Sequence, residues 1–142
     1  MARIDFYVLE RSDEHSRRAL ACKLAEKAYR LDNTVYIHTA STADATRLNE
    51  LLWTFRDGSF VPHSIKGDSD GTEASPVVIG SDDDGIEPRD LLINLCDEIP
   101  AFAESFPRVA EVVTSDENCR KLSRKRFVHY RDKGHSIQTH KL

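Results

Sequence analysis

Arginine guanidinium groups are the side chains whose type and spacing suggest chemistry in this chain. They gather in the segment Ser115–Lys133, S-D-E-N-C-R-K-L-S-R-K-R-F-V-H-Y-R-D-K. If that segment is a helix, Arg120, Arg124 and Arg131 fall close together on one face, while Cys119, Leu122, Phe127 and Tyr130 follow the 3.6-residue period on another. A forked guanidinium pairs bidentately with a carboxylate, and adjoining apolar ground accepts a hydrophobic side chain. Together they suit an acidic peptide with a hydrophobic end. Two other readings stay open: a core stripe with a solvated back, and a nucleic-acid footprint, for which one short basic face on an acidic body is weak. Residues 1–115 hold 12 Lys and Arg against 21 Asp and Glu, whereas residues 116–142 hold 8 against 3.

Marks of catalysis are missing. The chain has no G-x-x-x-x-G-K-[ST] and no G-x-G-x-x-G, and the stretch after its first expected strand, Val8–Asp13, is acidic and free of glycine, so a phosphate would find no cradle there. Asp82-Asp83-Asp84 and Asp68-Ser-Asp70-Gly71 lack the glycine and distal glutamate of a calcium loop at the required offsets and read as solvated loops. The six histidines form no H-E-x-x-H pattern, and no G-x-S-x-G is present. Cys22, Cys96 and Cys119 contain no C-x-x-C pair, so neither a disulfide framework nor a zinc knuckle is expected; they read as buried reduced thiols. No metal and no cofactor are expected.

The elements that must position the arginines come from the patterning of the rest. At 142 residues, 39% hydrophobic and 31% charged, the chain reads as one soluble domain over 1–142, with no membrane span and no signal peptide, and a cytoplasmic location is expected. Ile4, Phe6 and Val8 alternate in a strand from about Arg3 to Leu9. Ser12 or Asp13 caps a helix whose stripe is Ala19, Leu20, Leu24, Ala28 and Leu31, flanked by Arg17, Arg18, Lys23 and Lys27. Asp32-Asn33 turns into a strand over Thr34–Thr39, and Ser41–Asp44 starts a helix through Leu48, Leu51 and Leu52. Trp53–His63 sets three aromatics around an Asp-Gly turn, with Pro62 barring a central strand, and serves either as a lid on the core or as a docking surface. Polar loops at Lys66–Ser75 and Gly80–Glu87 surround a short strand at Pro76–Ile79. A strand at Leu91–Leu95, a short helix at Pro100–Ser105 and a strand at Arg108–Val113 precede the basic helix, capped by Ser115 and stopped by Gly134, and a tail over Gly134–Leu142. Strand-helix alternation predicts an α/β domain with a mostly parallel central sheet flanked by helices, Rossmann-like in layout but without the nucleotide-binding motif.

Several segments, in order along essentially the whole chain, carry a resemblance. D-F-Y-V-L, L-L-W-T-F-R-D-G-S-F-V-P-H, D-L-L-I-N-L, F-x-x-x-F-P-R-V-A-E-V-V and L-S-R-K-R-F-x-x-Y-R-x-x-G together resemble the chi subunit of bacterial DNA polymerase III holoenzyme. The resemblance implies an accessory subunit with no catalytic step of its own. It would pair with the psi subunit of the clamp-loader complex and bind the acidic, phenylalanine-ended tail of single-stranded DNA-binding protein; the acidic body and small basic face, for their part, predict no tight direct contact with nucleic acid. Carried over by position, Arg124 would pair with a carboxylate of the tail, and Phe127 with Val113 would supply the apolar contact. Phe127 stands where familiar members often have tyrosine, and Val128 where a basic residue is often found, leaving Arg120, Lys125 or Arg131 to compensate. Trp53, Phe60 and Pro62 match the positions through which the family packs against psi. The alternative is a degenerate nucleotide-binding or helicase-like α/β enzyme with its site at the carboxyl edge of the sheet.

Overall fold

The computed structural model describes residues 2–55, 60–66, 75–82 and 86–142. Its elements are β1 (Arg3–Val8), α1 (Glu14–Arg30), β2 (Val35–His38), α2 (Thr42–Thr54), β3 (His63–Ile65), β4 (Val77–Gly80), β5 (Leu91–Asn94), β6 (Arg108–Val113), α3 (Glu117–Asp132) and β7 (Ser136–Lys141). The seven strands form one sheet in the order β3-β4-β2-β5-β6-β1-β7, and every ladder between described strands is parallel. The expected α/β domain is found, with a sheet more uniform than "mostly parallel".

Period-two alternation divides the core into two layers. Val35, Ile37, Val77, Ile79, Leu91, Ile93, Ala110 and Val112 face α1 and α2. Tyr36, Val78, Leu92, Val109, Val113, Ile4 and Phe6 face the other way, toward Phe106 and Tyr130 of α3. Strands buried on both faces explain the unbroken apolar runs at 77–79 and 91–93. Gly80 closes β4 because a Cβ there would lie 2.1 Å from the Tyr36 hydroxyl.

The structure departs from the expected pattern at several points. The stripe of α1 runs through Ala21, Cys22, Ala25 and Ala28 rather than Ala19 and Leu31. Leu31 is 63% exposed because the helix has ended, and Arg17 is buried, its Nε donating to the Val112 carbonyl at 3.1 Å. At the start of α3 the cap is Asp116, whose carboxylate accepts from the Cys119 amide at 3.0 Å, so Ser115 lies one residue too early. Pro100–Ser105 yields only one 3-10 turn, Ala103–Ser105. The C-terminal tail is strand β7, paired with β1 from Arg3↔Ser136 to Val8↔Lys141, and β3 adds a short edge strand directly after Pro62. Both edge strands owe their structure to a neighbour, since neither has an apolar alternation of its own. The thiols also differ: Cys22 is buried and its pKa is pushed up to about 12 by that burial, whereas Cys96 and Cys119 are half-buried.

Candidate binding surfaces

The position of α3 begins with its inner face. Glu111 of β6 is fully buried and receives hydrogen bonds from three side chains. Arg126 Nε donates to Oε1 at 3.0 Å, Tyr130 Oη to Oε2 at 2.8 Å, and Asn94 Nδ2 to Oε2 at 3.0 Å. Arg126 also donates through Nη1 to the Asp97 carbonyl at 2.7 Å. Burial pushes the Glu111 carboxyl above the ordinary glutamate range, against the pull of Arg126, Asn94 and Tyr130. Burial and then the Glu111 charge push the Tyr130 phenol strongly up, so it stays a donor. This quartet was not foreseen. Arg126 reads as one more member of the R-K-R run, and its only sequence signal is its place one turn before Tyr130, on the inward side of the helix.

With Arg126 turned in, the next residues turn out. Arg120, Arg124 and Arg131 are exposed, Val128 is exposed and Phe127 is half-buried, its ring 5.6 Å from that of Phe6. Their spacing of four, seven, eight and eleven residues from Arg120 makes one stripe. Val113 is buried at the end of β6 and offers little surface. Arg131 is paired with Asp132 at 3.3 Å, whereas Arg120 and Arg124 have no ion-pair partner among the described residues. Lys125 stands on the opposite flank. There a cleft of about 540 Å³ between α3 and residues 97–104 is lined by Leu122, Lys125, Arg126, His129 and Lys133. Of the three residues placed to compensate for Val128, Arg120 alone is both on the stripe and without an ion-pair partner among the described residues.

The second surface lies at the far edge of the sheet. Trp53, at the end of α2, is 55% exposed and Phe60 is 64% exposed, with ring centroids 5.8 Å apart. Neither is a lid. Val61 supplies the burial instead, and the His63 ring, 4.6 Å from Trp53, sets Nδ1 2.7 Å from the Val61 carbonyl and Nε2 3.1 Å from the Asn49 carbonyl, one of which accepts the ring N–H. Pro62 is half-buried between them. The Asp57-Gly58 turn lies outside the described residues, as do Asp68–Gly71, Asp83 and Asp84. Asp82 is described, paired with Lys66. Among the described residues no group of three or more His, Cys, Asp or Glu stands close enough to hold a metal ion, and no helix is long and apolar enough to cross a membrane.

Fold and surfaces together define a small α/β domain with a basic and apolar helix on one face and an aromatic patch at the opposite edge. The family model of the DNA polymerase III chi subunit, HolC, matches residues 1–138. DNA polymerase III subunit chi of Pseudomonas aeruginosa is 41% identical over 142 residues, covering 100% of this chain and 98% of that one. The Haemophilus influenzae subunit is 31% identical over 134 residues, 94% and 93% of the two chains, and that of Escherichia coli 30% over 120, 84% and 82%. This chain belongs to the DNA polymerase III chi subunit family and is a replication accessory subunit. Among solved structures, T4 UvsW is similar with a TM-score of 0.71 at 12% identity, over 99% of this chain and 41% of that one. A DEAD box protein from Methanococcus jannaschii is similar with a TM-score of 0.57 at 14% identity, over 98% and 42%. At those identities the likeness concerns the fold alone.

Proposed function

We propose that this subunit is a non-catalytic bridge of the cytoplasmic replication machinery: its aromatic edge docks the psi subunit, and its last helix holds the acidic, phenylalanine-ended tail of single-stranded DNA-binding protein. One observation carries the reading. The exposed stripe of α3 sets two guanidinium groups without an ion-pair partner among the described residues, Arg120 and Arg124, one turn apart beside the exposed Val128 and the half-buried Phe127. That is a charge complement for carboxylates next to an apolar rest for an aromatic end. Arg131, already held by Asp132, takes a lesser share, and Val113 belongs to the apolar cluster against which Phe127 packs.

The aromatic surface supports the other half of the bridge. Trp53 and Phe60 are large rings left in water at the β3–β4 edge, on the sheet face carrying α1 and α2, whereas α3 packs on the other face over β6 and β7. Two ligands held at these places would not compete for space. Titration of the protein with the last ten or so residues of the cognate single-stranded DNA-binding protein, with and without the terminal phenylalanine, tests the reading. Binding that needs the phenylalanine and weakens with salt is expected; the absence of binding would overturn it.

A further inference from the structure

The buried quartet touches neither proposed ligand, yet it joins α3 to β6 at the two buried residues of the helix, where the rotation of α3 can be chosen. The inner apolar contacts of α3 are thin: Cys119, Leu122 and Phe127 are only half-buried, and the sole buried residues of the helix are Arg126 and Tyr130. Half-buried contacts tolerate rotation. A fully buried carboxylate does not, because each oxygen must keep its donors.

The run Arg124-Lys125-Arg126 offers Glu111 three successive cations, each about 100° from the next around the helix. What distinguishes Arg126 is the residue four positions on. Tyr130 hydrogen-bonds the second oxygen of the same carboxylate, while the residues four on from Arg124 and Lys125 are Val128 and His129. The Arg126 fork adds the Asp97 carbonyl, and Asn94 closes the remaining side of Glu111. A shift by one or two residues would place Lys125 or Arg124 against Glu111 without the phenol, and would carry Arg120 and Val128 off the exposed stripe.

We propose that Glu111, Arg126, Tyr130 and Asn94 act as positioning residues for the tail site, selecting the one rotation of α3 that turns Arg120, Arg124 and Val128 outward together. This rests on the tail-binding reading given above. A buried ion pair adds little net stability compared with apolar groups of similar volume, but it penalises the wrong register. The quartet therefore contributes specificity of placement more than stability.

The test replaces the ion pair and the phenol by apolar groups of similar size, Glu111→Leu, Arg126→Met and Tyr130→Phe together, in the full chain. Thermal unfolding, amide hydrogen exchange along α3, and titration with a ten-residue acidic peptide ending in phenylalanine are the readouts. At a temperature where the variant is fully folded, tail affinity is expected to fall by about tenfold or more and the α3 amides to exchange faster. A merely stabilising network would leave the affinity of folded molecules unchanged, and that result overturns the proposal. Should the triple variant not fold, Tyr130→Phe alone decides: it keeps the ion pair and removes the group that singles out Arg126, so wild-type affinity and wild-type α3 exchange in that variant would equally overturn it. If the wild-type protein itself does not bind the peptide, the tail reading fails separately, and exchange of the α3 amides in the variants decides whether the quartet positions the helix.

Discussion

Replacing Arg124 by glutamate reverses a charge on the exposed stripe of α3 while touching nothing that holds the helix in place. Arg124 is exposed and has no ion-pair partner among the described residues, so its loss leaves no orphaned group. In the variant the new carboxylate faces Arg120 one turn earlier and Lys121 three residues earlier, exchanging repulsion for attraction worth about 0.2–0.5 kcal/mol per pair. Stability should therefore stay within about 0.5 kcal/mol of wild type, with the sign toward stabilisation. Binding should move the other way. A hydrogen bond to a charged group contributes about 1.5–3 kcal/mol, so Arg124→Ala is expected to weaken the tail roughly ten- to a hundredfold, and Arg124→Glu more, through added repulsion. The assay is a peptide titration at two salt concentrations beside a thermal melt. Lys23→Glu is the control because Lys23 is an exposed residue of α1, whereas Arg17 is buried against the Val112 carbonyl and its reversal would damage the fold. Equal losses in Arg124→Glu and Lys23→Glu would reduce the effect to bulk charge, and unchanged affinity in Arg124→Glu would remove the residue from the site.

A charged residue at Trp53 or Phe60 should abolish co-purification with psi while leaving the melt and tail affinity nearly intact, because both rings are already in water. The isolated chain should show negligible affinity for a single-stranded oligonucleotide at physiological salt, measured by fluorescence anisotropy, since eight basic residues at one end face an acidic body. Gly80→Ala should lower stability by about 1–3 kcal/mol in denaturant titration, because its Cβ would overlap the packed Tyr36 ring. The Asp13 carboxyl is held below its ordinary value by hydrogen bonds from the Ser16 amide and then the Ser16 hydroxyl. Its contribution to α1 should be present above the ordinary value of 3.8 and lost as pH falls through the lower folded value, and Asp13→Asn should flatten that part of the pH-stability curve.

Local pattern was enough for most of the scaffold. The central strands announce themselves as short apolar runs, and Asp13, Ser41 and Gly134 mark helix ends through bonds or angles that each residue type favours by itself; Gly134, for instance, adopts a φ of +82°. The arginine stripe was legible for the same reason, since helical spacing alone brings Arg120, Arg124 and Arg131 together. The exposure of Trp53 and Phe60 was not, because an aromatic loop reads the same whether its rings lie on the core or in water. Nor were β3 and β7, whose hydrogen bonds are made to strands distant in the chain. Above all, Arg126 and Arg124 are the same residue type two positions apart, and nothing local says which turns inward. That was decided by a carboxylate buried in β6 and a carbonyl after β5, groups that come within reach of the helix only once the sheet has assembled.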